Sequence, residues 1–135
     1  MVEMKLSRII LHEKRDEQII VLKEKNGKKR ELPIVIGLAE AAAIKMKINK
    51  ILPPRPLTHD LLKNLIEGLG FKLEKVIIDG LQEGTFYAKL VLVNSGSVSK
   101  KIDCRPSDAI ALSVRTGTPV YVNDEVLEKI HLLGG

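Results

Sequence analysis

Ile36-Gly37-Leu38-Ala39-Glu40-Ala41-Ala42-Ala43-Ile44 and Cys104-Arg105-Pro106-Ser107-Asp108-Ala109-Ile110-Ala111-Leu112 are two versions of one pattern, a strand end running into an Ala-rich helix. Upstream of each, Leu6-Ser7-Arg8-Ile9-Ile10-Leu11 parallels Leu73-Glu74-Lys75-Val76-Ile77-Ile78 at a nearly constant offset. Self-similarity at a fixed spacing predicts a duplicated three-strand-plus-helix unit, about 4–50 and 71–117. Under this alignment Glu40 is the counterpart of Asp108. Hairpins followed by helices predict an α+β fold with mainly antiparallel sheet and extra helices. The connector around residues 50–57 is too short to separate independent domains, so 1–135 reads as one domain.

The elements follow from local pattern. Met4 to His12, Glu17 to Glu24 and Lys29 to Ile36 are rich in Ile, Leu and Val and predict strands. Asn26-Gly27 predicts a two-residue hairpin turn, since both positions tolerate positive φ. Leu38 to Lys50 predicts a helix, ended by Pro53-Pro54 and Pro56. Thr58 is the expected N-cap of a helix through Leu69, with Gly70 as its stop. Lys72 to Asp79, Thr85 to Val93 and Val98 to Arg105 predict three more strands, the last two joined at Asn94-Ser95-Gly96. Ser107 is the expected cap of a helix to Arg115, Pro119 to Val122 a short strand, and Asp124 to Leu133 a terminal helix capped by Asn123.

Composition narrows the function. Aromatics make up 3% of the 135 residues, too few for a platform on which bases stack. A net charge of +5 admits a polyanionic partner but equally describes a Lys/Glu-rich solvated surface. Lys23, Lys25, Lys28, Lys29 and Arg30 gather at a predicted turn. Cys104 is the only cysteine, which excludes an internal disulfide and a Cys-based zinc site; it is expected to pack as a small apolar residue. No apolar run is long enough to span a bilayer and no signal-peptide pattern appears, so a cytoplasmic location without membrane attachment is expected.

Chemistry concentrates in two Arg-Pro cassettes. Arg55-Pro56-Leu57-Thr58-His59-Asp60 opens the helix of Leu61, Leu62, Leu65 and Ile66, and Arg105-Pro106-Ser107-Asp108 opens that of Ala109 to Leu112. Each sets a guanidinium, a hydroxyl and a carboxylate at a helix N-terminus, where free N–H groups favour an anion. The repeat pairs Arg105 to Asp108 with Gly37 to Glu40, so the cassettes are not copies of each other. If they cooperate, folding must bring them together.

With Ile36 to Ile44, Arg55 to Leu62, and Phe86 through Asp103–Leu112 to Val122, the chain resembles the bifunctional nuclease family over nearly its whole length. The resemblance implies an α+β fold, homodimers, and cleavage of RNA and DNA. An enzyme that cleaves DNA has no ribose 2′-OH to use, so it must activate water and stabilise charge on the phosphorus oxygens. Candidate residues are then His59 as proton carrier, with Asp60 and Asp108 beside it in catalysis. Arg55, Arg105, Thr58 and Ser107 are candidates for holding substrate. Asp60, Asp103 and Asp108 are candidate ligands of a divalent metal, Mg or Mn, with Glu40 a weaker one. Other readings compete. Thr58 and Ser107 suit capping, Asp60 and Asp108 suit the helix dipole, and the arginines suit loop ion pairs. At the level of function the rivals are a non-catalytic module binding nucleic acid or protein, and a small-anion sensor.

Overall fold

The computed structural model describes residues 1–12 and 14–132, with side chains to residue 130. In chain order the elements are β1 (Val2–Ile10), β2 (Glu17–Glu24), β3 (Glu31–Gly37), α1 (Leu38–Ile48), α2 (Thr58–Gly68), β4 (Phe71–Gln82), β5 (Thr85–Asn94), β6 (Ser99–Cys104), α3 (Pro106–Thr116), β7 (Val120–Val122) and α4 (Asp124–Leu132). The expected end of the last helix at Leu133 lies outside the described residues.

All seven strands form one sheet in the order β3-β2-β1-β7-β4-β5-β6. Every pairing is antiparallel except β4 with β7. The fold is therefore α+β, as the hairpin pattern predicts. Two three-strand meanders flank β7, and each leads into a helix, α1 or α3. Both meanders carry a β-bulge in the first strand, between Leu6 and Arg8 in β1 and between Leu73 and Lys75 in β4. These are positions that the alignment of the two halves equates.

Alternation places the core on one sheet face. In β3, Leu32, Ile34 and Ile36 point inward while Pro33 and Val35 point out. Pro33 is tolerated because β3 is an edge strand. Helix α3 is the buried centre of the helical layer, with Ala109, Ile110, Ala111 and Leu112 all essentially inaccessible. Burying Ile110 and Leu112 contributes roughly 2 kcal/mol each. Pro106 at the first turn and Gly117 in the left-handed conformation (φ 69°) bound this helix.

Three local expectations need correction. The β2–β3 turn is longer than a two-residue hairpin, because the buried Glu24 carboxylate accepts from the backbone N–H and guanidinium of Arg30 and closes the chain earlier. Thr58 is not the cap of α2: Leu57 takes that place, and its N–H donates to Asp60 Oδ2 at 2.9 Å. Ser107 is likewise inside its helix, with Arg105 at the cap position and Pro106 first in the helix. Pro106 keeps Arg105 extended (φ −78°, ψ 152°), which moves the boundary of α3 to the Pro-proximal side of the hydroxyl.

Candidate functional site

The site is assembled from three side chains on three helices and a fourth at the cap of α3. Asp108 lies in the first turn of α3 and Glu40 in the first turn of α1. Arg105, immediately before α3, donates from Nε and Nη2 to Asp108 (3.1 and 3.2 Å) and from Nη1 to Glu40 Oε1 (3.2 Å). One guanidinium thus joins two carboxylates that occupy equivalent places in the halves. His59, on α2, completes the group with Nε2 3.0 Å from Asp108 Oδ1.

Burial opposes ionisation of Asp108, but hydrogen bonds from Arg105 and then His59 outweigh it and hold the carboxyl below the ordinary aspartate range. In the neutral imidazole, a hydrogen bond to an ionised carboxylate puts the proton on Nε2 and leaves Nδ1 with a lone pair. The His59 residue is 7% exposed and lines a groove, so its ring meets that space rather than the open surface. Asp108, with Glu40, also raises the Arg105 pKa, so this arginine stays charged. Three of its five N–H groups are engaged and two remain for a ligand, on a side chain that is 65% exposed.

These residues line a groove of about 700 Å³ between α1, α2 and β6. Its walls include Ala43, Met46, Leu62, Leu90 and Ile102. Leu62 and Ile102 are solvent-exposed hydrophobics, 36% and 44% accessible. A charged base of the groove with apolar sides suits a ligand that is anionic at one end and flat or apolar at another.

Gly37 makes room for Glu40. A Cβ at residue 37 would collide with Glu40 Oε2. The backbone there is extended (φ −77°, ψ 163°), so space rather than conformation requires glycine.

The other expected residues divide between the margin of this groove and separate surroundings. Asp60 Oδ1 accepts from Arg115 Nε at 2.8 Å while Oδ2 accepts from Leu57 N–H. The Leu57 N–H is the main reason its carboxyl is held low; burial opposes it and Arg115 adds to the lowering. Arg115 also donates to the carbonyls of Ala111 and Ala43 and is buried, tying the three helices α1, α2 and α3 together. Asp103 also borders the groove, but it is 75% exposed and its carboxylate pairs with Lys89, which also reaches Asp79, on the sheet face opposite that of its neighbour Cys104. Thr58 lines the groove, whereas Ser107 is buried beside a different depression shared with Gly37 and Phe86. Arg55 does not face Arg105 across the groove: it lines a separate cavity with Lys47 and Lys50. Burial pushes the Cys104 thiol up to about 12, so it is a packing residue rather than a nucleophile.

Among the described residues, no three of His, Cys, Asp and Glu gather as a metal-binding group. Asp103 and Asp108 border one groove and Asp60 another cavity, and each carboxylate is engaged by its own cation of the chain (Lys89, Arg105 and Arg115), so the three do not gather around a shared metal. The residue that sequence reasoning missed is Arg115. Its only signal was a lone arginine in an otherwise apolar helical run, a pattern shared by many surface arginines.

Comparison with known proteins bears on this arrangement. A protein of Mycobacterium tuberculosis described as uncharacterized is 44% identical over 131 residues, spanning 97% of this chain and 77% of that protein. Bifunctional nuclease 1 of Oryza sativa subsp. indica is 29% identical over 109 residues, covering 79% of this chain and 33% of the plant protein. Bifunctional nuclease 1 of Arabidopsis thaliana is 28% identical over 106 residues, with 77% and 33% covered. The profile of the bifunctional nuclease domain matches residues 20–133. The chain belongs to the bifunctional nuclease domain family.

Proposed function

We propose that the His59–Asp108–Arg105–Glu40 groove hydrolyses phosphodiester bonds in RNA and DNA. The observation that carries this reading is the His59–Asp108 contact inside a groove that also presents a charged, partly free guanidinium. Asp108 orients the imidazole, and Nδ1 takes a proton from water as the water oxygen attacks phosphorus; the P–O bond to the departing sugar oxygen breaks, and the imidazolium returns the proton to that oxygen. Arg105 donates its free N–H groups to the phosphate oxygens as negative charge builds on them. Glu40 and Asp108 fix the plane of that guanidinium, so little order has to be gained on binding. Membership of a family with plant proteins named bifunctional nucleases supports nucleic acid as the substrate. No step is assigned to Mg or Mn, because the three candidate aspartates do not meet.

The test is cleavage of labelled single-stranded RNA and DNA by purified protein, with and without Mg, Mn and chelator, beside His59→Ala and Asp108→Asn. Loss of cleavage in both variants, with folding retained, supports the reading. Undiminished cleavage in His59→Ala rejects it. Tight, salt-sensitive binding without any cleavage would instead make the domain a non-catalytic nucleic-acid module. Binding of inorganic phosphate alone would make it an anion sensor.

The working unit in this proposal is a homodimer. Helix α2 is amphipathic but buries only His59, leaving Leu61, Leu65 and Leu69 at 52%, 49% and 74% accessibility. Spaced four residues apart, they form one apolar stripe, which a second copy would cover. Light scattering of wild type against Leu65→Glu distinguishes a dimer from a monomer. No helix among the described residues is long and apolar enough to cross a membrane. A cytoplasmic setting belongs to the same proposal, consistent with a single unpaired cysteine.

A further inference from the structure

The second cavity, of about 720 Å³, is lined by Lys47, Lys50 and Arg55. Among the described residues none of these three cations makes an ion pair. The one carboxylate lining the cavity, Asp60, is already held by Arg115 and the Leu57 N–H. The basin therefore carries uncompensated positive charge, and like charges so placed repel unless an anion enters between them.

Its frame is rigid. Arg55 sits between Pro54 and Pro56, so its neighbours have fixed φ and Pro56 disfavours the helical region for Arg55 itself. Lys50 adopts a left-handed conformation (φ 57°) just beyond α1, which directs the chain into the Pro-rich connector. A loop preorganised in this way gives up little entropy when it binds. Ile48, Ile51 and Leu52, exposed at 48%, 52% and 88%, add apolar surface beside the charges.

Position assigns the basin a role. Met46 and Leu57 line both this cavity and the His59 groove, so the two are neighbours across a single wall. We propose that the Lys47–Lys50–Arg55 basin is a subsite for the phosphate of a nucleotide flanking the cleaved bond, which makes a polynucleotide, not a dinucleotide, the preferred substrate. This rests on the reading of the groove as a phosphodiester-cleaving site and extends it by specifying what lies beyond the scissile phosphate. Charge in the basin holds the backbone, and the apolar rim accepts a sugar or base without discriminating its identity. Sequence preference is consequently low.

The experiment uses the full chain, Arg55→Gln and the double variant Lys50→Gln/Arg55→Gln. Both substituted residues are exposed and unpaired, so these variants keep the fold. The specificity ratio, kcat/KM for a long single-stranded oligonucleotide over kcat/KM for a dinucleotide, is expected to fall about tenfold in the double variant. Anisotropy of the same labelled oligonucleotide with the His59→Gln protein, read against salt, gives a second measure independent of cleavage. Its log–log slope should become shallower by about 0.7 for each lost phosphate contact. An unchanged ratio together with an unchanged slope overturns the subsite. A wild-type protein that cleaves nothing, yet shows the change in slope, removes the catalytic reading while upholding the basin as a backbone-binding site.

Discussion

His59 Nε2 and Asp108 Oδ1 lie 3.0 Å apart although 49 residues separate them in sequence. The first stands on a helix between the two halves and the second on the helix of the second half. Removing the imidazole therefore tests whether this contact is chemical or merely structural. His59→Ala should lower kcat about 10²- to 10⁴-fold, the range for loss of a general base. The circular dichroism spectrum should stay native. Asp108→Asn should produce a comparable fall, since a neutral amide no longer fixes which ring nitrogen carries the proton.

Asp60 behaves differently. Replacing it with alanine strips a partner from Arg115, whose side chain is 3% exposed, and also removes the acceptor of the Leu57 N–H. An unpaired buried charge costs about 3 kcal/mol. A drop in Tm on the order of 10 °C is expected for Asp60→Ala in calorimetry. A variant with native Tm and no activity would show that Asp60 acts in chemistry instead.

Acid stability should depend on Asp108. Its carboxyl is held below the ordinary range in the folded chain because the bonds from Arg105 and His59 overcome burial. Such a group stabilises the fold above its unfolded pKa of about 3.9, and the contribution is lost as pH falls through the lower folded value. Urea midpoints for wild type should therefore decline below about pH 4, while the decline in Asp108→Asn should be shallower there. Parallel curves would contradict the assignment.

Gly37→Ala isolates the Glu40–Arg105 contact. The new methyl group collides only with the end of a flexible side chain, so the fold survives while Glu40 is driven from its seat. Activity should fall about tenfold, as expected where a substrate-holding group loses its alignment. A crystal structure should show Arg105 no longer bonded to Glu40. Native geometry in that variant would mean the backbone, not the side chain, had yielded.

Cys104 should be inert. With its thiol pushed up to about 12 by burial, almost no thiolate exists at neutral pH. Ellman's reagent should label it only after unfolding. Rapid labelling of native protein would place the thiol in contact with solvent and contradict its role in packing.

Much of the fold was legible because it rests on local pattern. Alternation in Leu32, Ile34 and Ile36, and the matched segments leading into α1 and α3, are visible without coordinates. The place of the turn at Asn26-Gly27 was legible too, with Gly27 at φ 78°, but its length was not, because a buried carboxylate, Glu24, decides where the hairpin closes, and burial of a glutamate leaves no mark in composition. The candidate site was half legible. His59, Asp108 and Arg105 come together; Asp103 borders the same groove but turns its carboxylate to Lys89, and Arg55 lies apart because it belongs to the proline-bounded connector. The Arg115–Asp60 pair joins residues 55 apart, a distance over which charge pairing cannot be read from spacing.

The halves touch within the sheet only through β7, three residues long, which hydrogen-bonds to β1 on one side and β4 on the other. Glu40 belongs to one half and Arg105 to the other, so their contact crosses that seam. The groove is consequently a checkpoint on assembly. A chain whose halves dock one residue out of register turns β7 over and parts the guanidinium from its second carboxylate. Such a chain would lose the groove outright rather than gain a different one.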